Sequence, residues 1–495
     1  MENNEELKNE LGVHLNQISL EELENAITTH DSAKLKAIFV EIPTIDIAEL
    51  ADELDNQKLI TLFRDIDSTN AAELFDDLSK SKKEELIQAM TDKDLIKIIN
   101  EGEPDELADT VGDMPANLAS RVLKAADPSL RGEINQLLKF KPESTGALMT
   151  TKFLELKESL TVEEAIKEIR AQGKKAETIY TIFLRNDKRK FVGTVDLDDL
   201  VFADPKEKLQ DLANKDTVSV HVKTDQEEVA NLIRRYDLNA IAVLNDDDCL
   251  VGIVTVDDAV DILTKESTED IEHMNAVGTL DDTYLETHPF QMAKKCIPWL
   301  VILLILGTLS SLILSNFQEK ISVLPVLAAF IPVLMDTGGN AGGQTTALIV
   351  RGLALKEFKP RDAGKIIFQE IRSALIIGSV VAVFALIWFT FEQYVGIVHN
   401  PQADPEGVEW ATIWNGQCWT FNFFLETLKV SSIVAGTLFC TIIVSKIIAA
   451  ALPLGVAALK KDPAVVSQPL LTTIVDMASL LIYFAIAEVL VLQFL

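Results

Sequence analysis

Asp336, Asn340 and Gln344 fall at i, i+4 and i+8 inside an apolar stretch, Pro332 to Gly352, which reads PVLMDTGGNAGGQTTALIVRG. On a helix that spacing aligns all three on one stripe. Hydrocarbon does not tolerate exposed polar groups, so the stripe must face protein or water, as the wall of a pore or site would. A second apolar stretch, SQPLLTTIVDMASLLIYFAIAEVLV, holds Asp476 with Thr472, Thr473, Ser479 and Tyr483 within one or two turns. A carboxylate at that depth costs about 2.5 to 3.5 kcal/mol on insertion scales, which makes Asp476 a candidate functional group. The bland alternative is a hydrogen-bonded or protonated aspartate that links helices.

The elements that would position these groups are membrane helices. Gly338 with Gly342, and Gly339 with Gly343, form overlapping GxxxG pairs that let a neighbouring helix approach closely. Apolar segments at about 297 to 316, 321 to 350, 371 to 393, 427 to 452 and 467 to 493 predict five spans, the second and fifth with their polar groups buried. Lys294 and Lys295 precede the first. Arg351, Lys356, Lys359, Arg361, Lys365 and Arg372 lie between the second and third, and Lys460 and Lys461 between the fourth and fifth. The loop from Glu392 to Glu426 has neither Lys nor Arg. Basic loops mark the inner side, so the reading is a cytoplasmic amino terminus and an external carboxyl terminus in a multi-pass cell-membrane protein.

Charge divides the chain near residue 296. Of the 76 acidic and 45 basic residues, 63 and 34 come before that point, and the whole carries a formal net charge of -31. An acidic half of this kind argues against nucleic acid and anionic lipid surfaces as partners and favours cations, with a solubilising surface as the bland alternative. The opening MENNEELKNE lacks a basic and then apolar leader, which predicts that this half stays in the cytoplasm. The 4 cysteines and 6 histidines neither cluster nor show CxxC spacing, so neither a disulfide framework nor a zinc site is supported.

Within the acidic half, Ile38, Leu50, Leu62, Leu74, Leu86 and Ile98 recur every twelve residues, and Ile42, Leu54, Ile66, Leu78 and Met90 follow four positions later. The pattern predicts stacked short helices of a superhelical repeat domain over residues 1–140, with an irregular bundle as the alternative. Residues 162–200 and 226–262 each read helix, strand, charged turn, strand, helix. Together, over 141–263, they resemble a tandem pair of α+β CBS domains. Gly252, Thr255 and Asp258 of the second copy fit that family's GxxTxxD nucleotide pattern, with ATP the candidate nucleotide. In the first copy Asp196 stands where the pattern has threonine after Gly193. Residues 264–293 read as a mostly helical connector, and 294–495 as the membrane domain.

This order of parts, with FKPESTGALMT at 140 to 150, GGNAGGQ in the second span and DPAVVSQPLLTTIVD leading into the fifth, resembles the MgtE-type magnesium channels. The resemblance implies a homodimer whose pore lies at the subunit interface, with Asp476 recognising the ion. It implies Mg²⁺ uptake that stops when the cytosolic half compacts at high internal Mg²⁺ and closes the pore through the connector. Mg²⁺ dehydrates reluctantly, so a pore suits it best by holding its water shell between carboxylates, amides and carbonyls. Asn340 and Gln344 would supply the polar wall, with Asp336 beside them. The regulatory ligands implied are Asp225, Glu227, Asp237, Asp258, Asp261, Glu266, Glu269 and Asp270, which would repel one another until divalent ions bridge them. Two departures from the family stand out: Gln468 before Pro469, where a smaller residue is usual, and the long loop from Glu392 to Glu426.

Three other classes compete. A divalent-cation transporter coupled to Na⁺ or H⁺ accounts for an intramembrane aspartate as well. A membrane-tethered nucleotide sensor accounts for the CBS pair but leaves Asp476 without a role. An aspartic protease is raised by the DTG triplet at Asp336, but that triplet sits in a membrane helix and no GxGD follows, so the expectation is that the protein is not an enzyme.

Overall fold

The computed structural model describes residues 18–280, 284, 287–317, 325–394, 421–466 and 468–494. The acidic opening segment and most of the loop from Glu392 to Glu426 lie outside the described residues. The chain divides into two compact units, Met1–Glu266 and Ser267–Leu495.

The first unit begins with helices that start every twelve residues: α1 Leu20–Thr28, α2 Ser32–Glu41, α3 Thr44–Ala51, α4 Asn56–Asp65, α5 Ser68–Asp77, α6 Lys80–Ala89, α7 Asp92–Ile99, α8 Pro104–Asp113, α9 Ala116–Ala125 and α10 Pro128–Leu137. Their starts are set chemically. Ser19, Asp31, Asp55, Asp67 and Thr91 each accept from a backbone N–H of the first turn, while Pro104 and Pro128 occupy first-turn positions that need no N–H. The two apolar series face inward. All members are in the buried core except Leu50 and Ile66, which pack against it half-covered. Helices two apart in sequence pack together, α3 on α5, α5 on α7 and α7 on α9, so the twelve-residue period builds the layered stack that the sequence predicts.

Two three-stranded sheets follow: β1 Glu155–Lys157, β2 Thr181–Arg185 and β3 Phe191–Asp196 in one, and β4 Ser219–His221, β5 Ala240–Leu244 and β6 Leu250–Thr255 in the other. In each, the first strand runs parallel to the second and the third antiparallel to it. Thr181 pairs with Asp196 as Ala240 pairs with Thr255, and both sheets carry a register shift at the last residue of the middle strand, Arg185 and Leu244. The duplication is therefore exact to the residue. Helices α11 Val162–Gln172, α12 Gln226–Tyr236 and α13 Val256–Met274 complete the pair, and Phe183 of one sheet is buried among Ala240, Ala242 and Ile253 of the other.

The connector is not a single helix. Helix α13 ends in a Schellman closure: Ala276, at φ 59°, and Val277 donate back to the carbonyls of His273 and Glu272. The next helix starts only at Pro289. A left-handed alanine followed by Gly278 ends the helix there; the periodicity of 264–293 did not show that break.

The second unit holds α14 Pro289–Asn316, α15 Ile331–Ala354, α16 Ala363–Tyr394, α17 Phe421–Ala458 and α18 Gln468–Phe494. Four of them, all but α15, are long and apolar enough to cross a membrane. Helix α15 misses only because of its polar run. Helices α15, α16, α17 and α18 share a core around Leu334, Phe389, Val434 and Phe484, whereas α14 buries none of its side chains within its own chain.

Candidate ion pathway and cation-sensing cluster

Helix α15 has a glycine face and a polar face. A β-carbon at Gly338 would stand 2.8 Å from Thr441 and 2.9 Å from Ser479 Oγ; at Gly339, 2.8 Å from Thr472; at Gly342, 2.6 Å from Ser445 Oγ; at Gly343, 2.9 Å from Gln468 Nε2. The glycines therefore let α17 and α18 reach backbone distance. The unusual Gln468 finds its space at Gly343. On the other side Asp336, Asn340 and Gln344 are exposed on this chain, and Asn340 Nδ2 donates to Asp336 Oδ2 over 3.1 Å.

Asp476 is half-buried on α18, and its Oδ1 has no hydrogen-bond partner among the described residues. Asp336 is near enough to act on it electrostatically. Thr472 and Thr473 donate to the carbonyls of Gln468 and Pro469, both over 2.9 Å, which leaves their oxygen lone pairs free to accept from coordinated water. The structure thus collects oxygen acceptors from two helices. Tyr483 does not join them: its hydroxyl is buried and donates to the Leu327 carbonyl over 2.9 Å, a structural link. Thr441 was not visible as a candidate. It is buried on α17 against Gly338, and its hydroxyl has no partner among the described residues.

In the first unit a second group of carboxylates is packed away from water. Burial pushes Asp76 up to about 8, with Glu106 adding to it and Lys83 opposing. Burial raises Asp105 to about 7, a backbone hydrogen bond opposing and Asp258 and Glu106 reinforcing. Asp109 reaches about 6 by burial and by Glu106, against Lys265. Glu106 and Asp258 are raised too, mainly by burial, and Glu106 feels both Asp258 and Asp261. Helix α8 of the repeat domain and α13 of the CBS pair therefore bring like charges together.

Of the eight acids expected as ligands, only Asp258 and Asp261 belong to this group. Asp225 caps α12 and accepts from the Glu227 N–H, Glu227 accepts from Asn231, and Asp237 ends the same helix in a left-handed conformation. Glu266 accepts from Gln226 Nε2 over 2.7 Å, and Glu269 from Thr279, while Asp270 lies beside it on the last turns of α13. The sequence reading missed Asp76, Asp105, Glu106 and Asp109, although EGEPDELADTVGD, at residues 101 to 113, is dense in acids. The nucleotide triplet is partly engaged: Asp258 accepts from Thr255 Oγ1 over 2.7 Å, and the Cβ space of Gly252 is filled by Met149.

Residues 42–143 match the MgtE intracellular N domain, 146–206 and 209–265 each match a CBS domain, and 331–486 match the family described as divalent cation transporter. A magnesium transporter MgtE of Thermus thermophilus is 34% identical over 370 residues, 75% of this chain and 75% of that protein. The chain belongs to the MgtE family. A family member from Bacillus subtilis, also named a magnesium transporter, is 32% identical over 389 residues, 79% of each chain. A solved cytosolic domain of the Mg²⁺ channel MgtE in complex with ATP is 32% identical; it is covered in full, against 49% of this chain, with a TM-score of 0.46.

Proposed function

We propose that this chain carries Mg²⁺ across the cell membrane as a homodimer, each copy contributing five spans with the amino terminus inside and the carboxyl terminus outside. The observation that carries the reading is Asp476: a half-buried carboxylate with an oxygen that has no hydrogen-bond partner among the described residues, beside a helix whose glycine face packs inward and whose polar stripe stays open. Two such carboxylates around a twofold axis hold a hydrated ion through its water, with Thr472, Thr473, Asn340 and Gln344 as acceptors and Asp336 at the wall. The uncovered sides of α14 supply apolar surface for the second copy and for lipid.

Control belongs to the buried acids. Asp76, Asp105, Glu106, Asp109, Asp258 and Asp261 repel one another when ionised, and a hard divalent ion bridging them favours the packed state that shuts the pathway. Asp225, Glu227, Asp237, Glu266, Glu269 and Asp270 serve as peripheral ligands at lower occupancy. His273 on α13 approaches Asp462 to 3.5 Å, which gives the connector a contact with the short segment that leads into the helix holding Asp476. In the second CBS copy the Thr255–Asp258 pair suits ATP, the carboxylate accepting from sugar hydroxyls.

Liposome flux of Mg²⁺, Ca²⁺, Co²⁺ and Mn²⁺ at low and high internal Mg²⁺ tests the whole reading. Flux that follows the Mg²⁺ gradient and voltage, and stops at high internal Mg²⁺, supports a gated channel. Flux that needs Na⁺ or H⁺ replaces it with a coupled transporter.

A further inference from the structure

An ion pair bridged by a threonine lies inside the membrane unit, apart from the polar stripe. Lys446 on α17 and Glu370 on α16 are 5% and 13% exposed, with Nζ 3.1 Å from Oε2. Lys446 Nζ also donates to Thr345 Oγ1 over 2.8 Å, and Thr345 Oγ1 donates to Glu370 Oε2 over 3.0 Å. Three helices meet at one closed ring of hydrogen bonds. Neither charge was visible as a candidate, since Lys446 interrupts an apolar run singly, Glu370 sits among the polar residues Gln369 and Arg372 at the edge of the basic loop, and the two are on different helices.

Buried ion pairs of this kind are often replaceable by apolar side chains without loss of stability, so holding the bundle together does not account for it. What the ring fixes is rotation. Ser445 Oγ donates to the Gly338 carbonyl over 2.6 Å and Thr346 Oγ1 to the Ala449 carbonyl over 3.3 Å, but both tie α15 to α17 alone. Among the described residues it is the Lys446 ring that adds α16, and it grips Thr345, the neighbour of Gln344. Successive helical residues differ by about 100° around the axis, so clamping Thr345 sets the direction of the stripe that begins next to it.

We propose that Lys446, with Glu370, is a positioning residue for the ion pathway: gripping Thr345 from two helices, it holds the Asp336–Asn340–Gln344 stripe toward the permeating ion. The inference rests on the transport reading above, and its test separates the two. The full-length protein is reconstituted as wild type, Lys446→Met, the apolar double variant Lys446→Met/Glu370→Leu, and the charge swap Lys446→Glu/Glu370→Lys. Mg²⁺ and Ca²⁺ fluxes are measured, and labelling of Gln344→Cys by a water-soluble thiol reagent is read at that position by mass spectrometry. The double variant is expected to assemble and melt as wild type does, yet to lose roughly tenfold in Mg²⁺ rate, with a lower Mg²⁺ to Ca²⁺ ratio and altered labelling at 344. The swap, which keeps the pair, recovers most of the ratio. Native ratio and native labelling in the double variant overturn the proposal. Altered labelling in a protein whose wild type moves no Mg²⁺ upholds the positioning and removes the transport reading instead.

Discussion

The two units bury charge in opposite ways. In the first, Asp76, Asp105, Glu106, Asp109 and Asp258 are crowded with few cations near them, so ionisation works against packing. In the second, Lys446 and Glu370 neutralise each other and share Thr345. An unbalanced cluster is a place where an added cation does work. A balanced one is a fixed joint. On the proposed reading, sensing and scaffolding are distinguishable by charge balance, and Asp476, with another acid, Asp336, near it and no cation to offset it, belongs with the first kind.

The largest expected effect tests that last assignment. Asp476→Asn keeps shape and some hydrogen bonding but removes the charge, so the dimer should form while Mg²⁺ flux falls by about 100-fold or more, on the order of 3 kcal/mol of barrier. Asp336→Asn should cost less, because Asn340 already occupies one of its oxygens. Native rate and selectivity in purified Asp476→Asn would place Asp476 among the scaffold groups.

Next comes the sensor. The double change Asp105→Asn/Asp109→Asn removes two repelling acids and two ligands together. The full-length protein should then resist protease without added Mg²⁺ and pass less Mg²⁺ at low internal Mg²⁺, its closing midpoint lowered by roughly tenfold, about 1.4 kcal/mol. An unchanged midpoint moves the sensor to Asp225, Asp237 and the other peripheral acids.

The proton offers a milder probe of the same cluster. Asp76 holds its proton to about 8 and Asp105 to about 7, both against an ordinary 3.8. The packed state then binds more protons than the unpacked one from 3.8 up to those values, so packing without metal is firmest at low pH and weakens progressively until pH reaches about 7 to 8. Protons and Mg²⁺ are alternative ways of removing the repulsion, so as the protons leave more Mg²⁺ is needed, and its compaction midpoint should rise from pH 6 to pH 8, measured by protection from protease. A midpoint that does not move with pH means the buried carboxyls are not its ligands.

Much of this was legible in sequence where the signal is local. The twelve-residue repeat gave the stack because apolar i, i+4 pairs and the capping residues Asp31, Asp55, Asp67 and Thr91 share one phase. The glycine and polar faces of α15 follow directly from spacing. The cluster proposed for sensing was half legible: Asp258 and Asp261 were named, but their partners on α8 are distant in sequence and look like surface acids until the two domains pack. The break after Met274 turns on a single left-handed residue, Ala276, a type that rarely adopts that conformation. Lys446 and Glu370 were unreadable for a different reason, since pairing across helices leaves no periodic trace.

The smallest effect concerns Tyr483, which shares a helix and a polar neighbourhood with Asp476 in sequence but not in structure. Its ring is buried in the core and its hydroxyl ends on the Leu327 carbonyl. Tyr483→Phe leaves that carbonyl without its donor, a loss of about 1 to 2 kcal/mol and a fall of a few degrees in melting temperature. Nothing in the pathway changes, so Mg²⁺ rate and the Mg²⁺ to Ca²⁺ ratio should stay native. The contrast with Asp476→Asn, which should melt normally and fail to conduct, is the informative part. If Tyr483→Phe loses selectivity at native stability, the polar face of α18 extends two turns further than its hydrogen bonds indicate, and the division between ion-handling and structural groups on that helix has to be redrawn.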